Sequence, residues 1–396
     1  MHKRSLRLLS PLLALGLLAA ASGDDDETGT GDTTTTTAGS TDDTTTTTGG
    51  GGSTDDAQVS LDDLCTEAQA AGVEAPDGFT VRLVTDVGKV DDRTFNQYTY
   101  EGMLAAAECF GFETSFIETV SEADYDENIA TAMEGGPDIV ITSGFLLATD
   151  TAAASTANPE TSFIGVDQFV AGADGAPAYP DNMVGILFNE DEGGYLAGVM
   201  AASLSESGVI GVVGGREDVP PVVKLVNGYE VGAKSVDPDI QVLSIYNESF
   251  TAPDKGASDA QQFIGEGADV IFGAGGQTGS GGVAAATEQG VWGIGVDQDE
   301  YFSTFDGGSA PGSDKLATSA VKRVDLGVFL KILDVLNNEL EGGIFSLTAA
   351  NGGITYAPFH DADIPDDVAE AVETARKGLA DGSITTGLDP NTGLPL

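Results

Sequence analysis

The 396-residue chain is 41% hydrophobic and 20% charged, a globular composition too long for one small core, so two packed domains are expected and disorder throughout is excluded. Its 64 Asp and Glu against 16 Lys and Arg give a formal net charge of -48; the first 57 residues hold only nine acids and three bases, so -42 of that charge belongs to the body. Such a field repels phosphate backbones and anionic lipid, which argues against nucleic-acid binding and against membrane docking through a basic patch.

At the N-terminus, His2, Lys3, Arg4 and Arg7 precede an apolar run from Leu8 to Ala21 that ends in small residues, which predicts an export signal over 1–21. The run is shorter than the roughly 20 residues a spanning helix needs. A lipoprotein signal carries cysteine where Ser22 stands, because only a thiol takes the diacylglyceryl group. Either the chain is secreted after cleavage at Ala21, or an anchoring cysteine has been replaced at position 22 and the protein is held on the cell envelope. Residues 22–77 form a tether and lead-in; from Asp24 to Ala57 they are almost entirely Thr, Asp, Gly and Ser, too polar to offset chain entropy. Cys65 and Cys109 are the two cysteines, and in an exported chain such a pair is more often a disulfide than a metal site; two buried free thiols are the alternative.

From Val81 onward one unit repeats, a short β-branched run followed by an Ala-rich helical pattern. Strands are predicted at 81–87, 114–119, 138–143, 162–167, 182–188, 209–214, 241–246, 269–273 and 291–297, with helices at 94–109, 122–133, 146–157, 192–204, 222–235, 255–267 and 281–289. A further strand and helix occupy 316–336, and an extended segment 344–358. This alternation predicts an α/β protein with parallel sheets covered by helices on both faces. It forms two doubly wound lobes joined by three hinge crossings, with the first lobe over 78–190 and 314–342 and the second over 191–313 and 343–396. Ligands of such sheets bind at the carboxyl ends of the strands.

Catalysis is poorly supplied: His2 lies in the signal and His360 follows Pro358, so no histidine stands beside a nucleophile, and neither histidine nor cysteine clusters to hold a metal. We expect no enzyme, metal or cofactor. Three segments are directed at a ligand instead. Asp86 ends a strand and Phe95-Asn96 opens the next helix, supplying a carboxylate, an aromatic face and an amide, unless Asp91 or Asp92 merely caps that helix and Phe95 is core. Gly273 to Gly282, with Asp297 about 20 residues on, approximates a dinucleotide fingerprint with imperfect spacing; glycine-lined backbone plus a carboxylate suits a vicinal diol. Phe250 follows a strand, and Lys322 is a rare cation that either reaches the ligand or forms a surface salt bridge.

Taken in order, Asp86 to Asn96, Gly144 to Leu147, Phe188 to Gly198, Gly211 to Gly215, Asn227 to Glu230, Gly295 to Asp299 and Thr318-Ser319 with Lys322 resemble the BMP family of bacterial substrate-binding lipoproteins, which includes the purine nucleoside receptors of ABC importers. The resemblance implies a type I periplasmic-binding-protein fold, an extracytoplasmic monomer, and a membrane permease with its ATPase as partners. It further implies a purine nucleoside as ligand, its base sandwiched between Phe95 and Phe250. Asp86, Asp167, Asp297 and Lys322 would hold the ribose and base edge, and Asn96 either joins them or caps the helix. Receptors for a sugar, an amino acid or an autoinducer, or an exported calcium-dependent nucleoside hydrolase, are the competing readings. Ser22 departs from the family pattern.

Overall fold

A computed structural model describes residues 59–396. The predicted signal, Ser22 and most of the tether lie outside the described residues. After α1 (Leu61–Ala70), the first lobe winds through β1 (Thr80–Val87), α2 (Phe95–Phe110), β2 (Glu113–Thr119), α3 (Tyr125–Ala132), β3 (Ile139–Ser143), α4 (Ala148–Ala157), β4 (Ser162–Val166) and β5 (Met183–Phe188). The chain then crosses to α5 (Glu190–Leu204), β6 (Val209–Gly214), α6 (Pro220–Val236), β7 (Gln241–Tyr246), α7 (Pro253–Gly265), β8 (Val270–Ala274), α8 (Gly276–Thr287), β9 (Trp292–Asp297) and β10 (Leu316–Lys322). It returns with α9 (Val324–Leu336) and β11 (Gly343–Leu347), then closes with β12 (Ile354–Tyr356) and α10 (Asp366–Asp381). Cys65 of α1 is disulfide-bonded to Cys109 of α2, fastening the lead-in to the first lobe.

The two sheets run β11-β5-β4-β3-β1-β2 and β12-β10-β9-β8-β6-β7, all pairs parallel except β12 on β10. Both halves thus share one winding, with the direction reversing between β1 and β3 and between β6 and β8. Strands β3 and β8 are buried at every residue, as strands covered on both faces must be. Val81, Leu83, Ile139 and Ile141 center the first core; Ile210, Val212, Val270 and Phe272 center the second.

Two expected boundaries move. Residues 316–322, assigned to the first lobe, pair with β9 in the second sheet, and residues 343–347, assigned to the second lobe, pair with β5 in the first. Burial explains both: all seven residues of β10 are buried, so it needs a neighbour on each side, whereas β11 alternates between more and less exposed residues and suits a sheet edge. The three crossings therefore fall after β5, after β10 and between β11 and β12. At the third, the segment predicted as one extended run over 344–358 is broken by a turn in which Thr348 accepts from Ala350 N and Asn351 accepts from Thr348 N. Helix α8 starts at Gly276, five residues before the predicted start, and α1 and α10 extend beyond the predicted elements.

Helices α5 and α6 meet backbone to backbone through Gly194 and Gly198 on one and Gly228 and Gly232 on the other. A Cβ at Gly198 would stand 2.1 Å from Tyr229 O, and one at Gly228 would stand 2.2 Å from Asp191 O. The Phe188–Gly198 and Asn227–Glu230 motifs therefore carry helix packing. Gly198→Ala gains about 1 kcal/mol of helix propensity. It must also displace a backbone carbonyl that no rotamer change can move, an overpacking cost of about 1–3 kcal/mol or more. The expected net result is a lower urea midpoint with an unchanged slope; an unchanged midpoint would show that the two helices have room to separate.

Candidate ligand-binding cleft

Both winding reversals face one cavity, with about 680 Å³ of empty space including what is open at its mouth. Asp86, Phe95, Asn96, Asp167, Phe250, Asp297 and Lys322, all singled out in the sequence, line it together. Val219, Pro221, Val222 and Leu225, around the start of α6, supply an apolar wall.

The first-lobe wall is built by the turn between β1 and α2. Asp92 accepts from the backbone N–H groups of Thr94 (2.9 Å), Asn96 (3.2 Å) and Gln97 (3.0 Å), so Asp92 is the capping residue of α2. That cap presents Phe95 to the cavity, half-buried, while the ring also packs against the first-lobe core. Asn96 Oδ1 accepts from Asp86 N at 3.1 Å. Asp86 Oδ1 accepts from Val87 N at 2.7 Å and from the Tyr125 hydroxyl. Its Oδ2 lies so close to Gly144 that a Cβ there would come within 2.3 Å. Desolvation pushes the Asp86 carboxyl up to about 6 despite these donors.

A feature missed on reading the strands is an internal repeat: Ile164-Gly165-Val166-Asp167-Gln168 recurs as Ile294-Gly295-Val296-Asp297-Gln298 at the ends of β4 and β9. Comparing the two halves of the chain would have revealed it. Both aspartates adopt the left-handed region, with φ 60° and 67°, a conformation uncommon outside glycine and characteristic of sites where a side chain is re-aimed. Gln168 donates to Thr142 Oγ1 at 2.9 Å within its own lobe, whereas Gln298 donates across the cleft to Thr94 O at 3.3 Å.

Lys322, at the end of β10, is buried, which excludes the surface salt bridge. Its Nζ donates to Asp167 Oδ2 at 2.6 Å and pairs with Glu190 Oε1 at 2.9 Å, while Glu190 also pairs with Lys224. The ammonium stands 5.1 Å from the Phe95 ring centroid and 4.8 Å from that of Phe188. Burial works against its charge, but Asp167, Glu190 and Asp297 together hold it protonated well above the ordinary lysine range. Asp297 receives no hydrogen bond among the described residues; burial pushes it up to about 6, partly offset by Lys322. Asp167 Oδ1 is likewise without a donor.

The glycine-rich segment seats Phe250. A Cβ at Gly215 would lie 2.3 Å from the Phe250 ring and one at Gly275 would lie 2.2 Å from Gly215 N. The glycines thus let the loops after β6 and β8 close on each other beneath the aromatic, which accounts for the fingerprint-like spacing. Besides Lys322, the contacts that join the lobes across the cleft include Gln298 on Thr94, Arg93 on Ser303 O (3.2 Å) and Asp306 (3.2 Å), and Arg216 on Glu122. Among the described residues no group of three or more His, Cys, Asp or Glu side chains converges as a metal site.

Two like-wound α/β lobes, three crossings and an interlobe cavity define a substrate-binding protein of the type I periplasmic class. The family model for Bmp, the ABC transporter substrate-binding protein PnrA-like family, matches residues 79–374, and the chain belongs to that family. The CD4+ T-cell-stimulating antigen of Listeria monocytogenes is 31% identical over 323 residues, covering 77% of this chain and 87% of that one. The ABC transporter nucleoside-binding protein BmpA of Lactococcus lactis is 31% identical over 320 residues, covering 76% and 87%. Among solved structures, an ABC transporter solute-binding protein from Aeropyrum pernix K1 superimposes with a TM-score of 0.67 at 24% identity, covering 78% of this chain and 92% of that one, a likeness of fold. The family role implies a small-molecule ligand, a permease with its ATPase, and an extracytoplasmic location; no helix among the described residues is long and apolar enough to cross a membrane.

Proposed function

We propose that the cleft captures a neutral purine nucleoside and presents it to an ABC permease. The observation that carries this reading is the lining of one cavity by a phenyl ring from each lobe, Phe95 and Phe250, together with the carboxylates of Asp86, Asp167 and Asp297 and the ammonium of Lys322. Two rings suit a planar base better than a sugar alone, and Asp86, Asp167 and Asp297 suit ribose hydroxyls and base N–H groups. Ligand contacts to both lobes favor the closed arrangement, and that arrangement is the one presented to the permease. A phosphate finds no free cation here: Lys322 is committed to Asp167 and Glu190, and Arg216 near the mouth is held by Glu122 and Asp218.

The test is calorimetric titration with inosine, guanosine and adenosine, their 5′-monophosphates, ribose and amino acids. Nucleosides are expected to bind and monophosphates to bind far more weakly. Affinity should rise from pH 5 to 7, because Asp86 and Asp297, held near 6, accept hydroxyl donors through both oxygens and with charge assistance only once deprotonated. The ligand-free protein should move oppositely. Its carboxyls retain protons that the unfolded chain has lost, so stability falls as pH rises through the same window. Binding of a sugar or amino acid with no response to nucleosides would replace the nucleoside assignment, and chelator-sensitive release of ribose would make the protein an enzyme.

A further inference from the structure

We propose that Glu190 is a positioning residue that holds Lys322 on the Asp167 side of the cavity, so that Asp297 stays unpaired and free to accept from the ligand. The inference rests on the reading of Asp297 as a ligand acceptor and adds a residue outside the cavity lining to it.

Glu190 is buried at the first residue of α5, where the chain makes its first crossing, and Lys322 is buried at the end of β10, where it makes its second. Glu190 pairs through Oε1 with Lys322 and through Oε2 with Lys224 of α6. Lys224 is fixed in turn by donating to Phe188 O at 2.7 Å and to Pro390 O at 3.1 Å. Asp167, Glu190, Lys322 and Lys224 thus form a charge-balanced chain of four buried groups that spans both lobes and two crossings.

An ammonium has three donors. Asp167 and Glu190 engage Lys322, yet a third carboxylate is within reach: Val321 of β10 is the register partner of Asp297 in β9, one residue away. An unpaired buried carboxylate next to a buried ammonium ordinarily collapses into an ion pair. Glu190, with its second oxygen anchored on Lys224, opposes that collapse. Its charged form is favoured in spite of burial by Lys224 and Lys322, which hold it below the ordinary glutamate range. The groups facing Asp297 are Lys322, Asp92, Glu190 and Glu300, and those facing Glu190 are Lys224, Lys322, Asp167, Asp191, Glu192 and Asp297.

Carboxyl-selective ¹³C labelling of aspartate in the full chain, without ligand, reads the Asp297 titration directly. In wild type its midpoint is expected near 6. In Glu190→Gln, Lys322 is expected to swing to Asp297 and lower that midpoint by about one pH unit or more. Inosine affinity should fall about tenfold, and Asp297→Asn should then cost less in the Glu190→Gln background than alone. Because Glu190→Gln leaves two lysines to one carboxylate, the charge-balanced Glu190→Gln with Lys224→Met is measured beside it and is expected to show the same shift. An Asp297 midpoint unchanged in the folded variant or variants would overturn the role of Glu190. Failure of wild type to bind inosine would overturn the nucleoside reading instead, leaving the titration to decide on Glu190.

Discussion

Asp297→Asn and Phe95→Ala are each expected to weaken nucleoside binding by about 10- to 100-fold, the effect of losing a charge-assisted hydrogen bond or a base-stacking surface in a desolvated site. Asparagine is the informative replacement at 297 because it tolerates the left-handed backbone found there, φ 67°, which alanine adopts only with strain. The two variants should part company in ligand-free stability. Asp297 is buried, receives no donor, and is pushed up by burial with Asp92 and Glu190 adding repulsion, so removing its charge relieves an unfavourable burial. The thermal midpoint of Asp297→Asn should hold or rise while affinity collapses, the pattern of a group kept for function at the expense of stability. Phe95 is half-buried against Lys322, and its truncation should lower the midpoint modestly. Near wild-type affinity for inosine, guanosine and adenosine in both variants would remove these residues from the site.

The winding of both lobes could be read from the chain because a short β-branched run is followed again and again by a helical pattern, and that local grammar repeats. The cavity lining was legible for the same reason: Asp86, Asp167, Phe250 and Asp297 all sit at or just past strand ends, where such sheets place ligand residues. Lobe membership was not legible for 316–322 and 343–347, because hydrophobicity marks a strand without naming its neighbour. The motifs Phe188 to Gly198 and Asn227 to Glu230, read as part of a binding family's pattern, serve the close approach of α5 and α6 through their glycines. The support beneath the site was hidden by sequence distance: the Tyr125 hydroxyl reaches Asp86 across 39 positions, so Tyr125 looked like an ordinary residue, and Lys322, though singled out, reaches across 155 positions to Asp167, a partner only the fold reveals.

Lys322→Met is expected to have the largest effect on the folded state. Replacing the ammonium by an apolar chain of similar length leaves Asp167 and Glu190 buried with Lys224 alone. Breaking a buried pair in this way costs about 3–5 kcal/mol, far beyond the at most about 1 kcal/mol of an exposed ion pair. The pH dependence carries the diagnosis. Burial, with the charge of Glu190, already holds the Asp167 carboxyl above the ordinary range, and Lys322 is the main influence pulling it down. Without Lys322 its folded-state pKa must climb further above the unfolded value of about 4. The folded variant then takes up a proton that the unfolded chain does not. Its penalty is complete above the folded pKa and disappears below the unfolded one. Wild type itself holds Asp167 at about 7, so denaturant titrations should show the gap between wild type and variant widening from pH 7 to pH 9 and little changed below. A gap that stays constant across that range would mean that Lys322 stabilises the protein by packing against Phe95 and Phe188 and not by neutralising Asp167, and the buried charge chain would lose its energetic role.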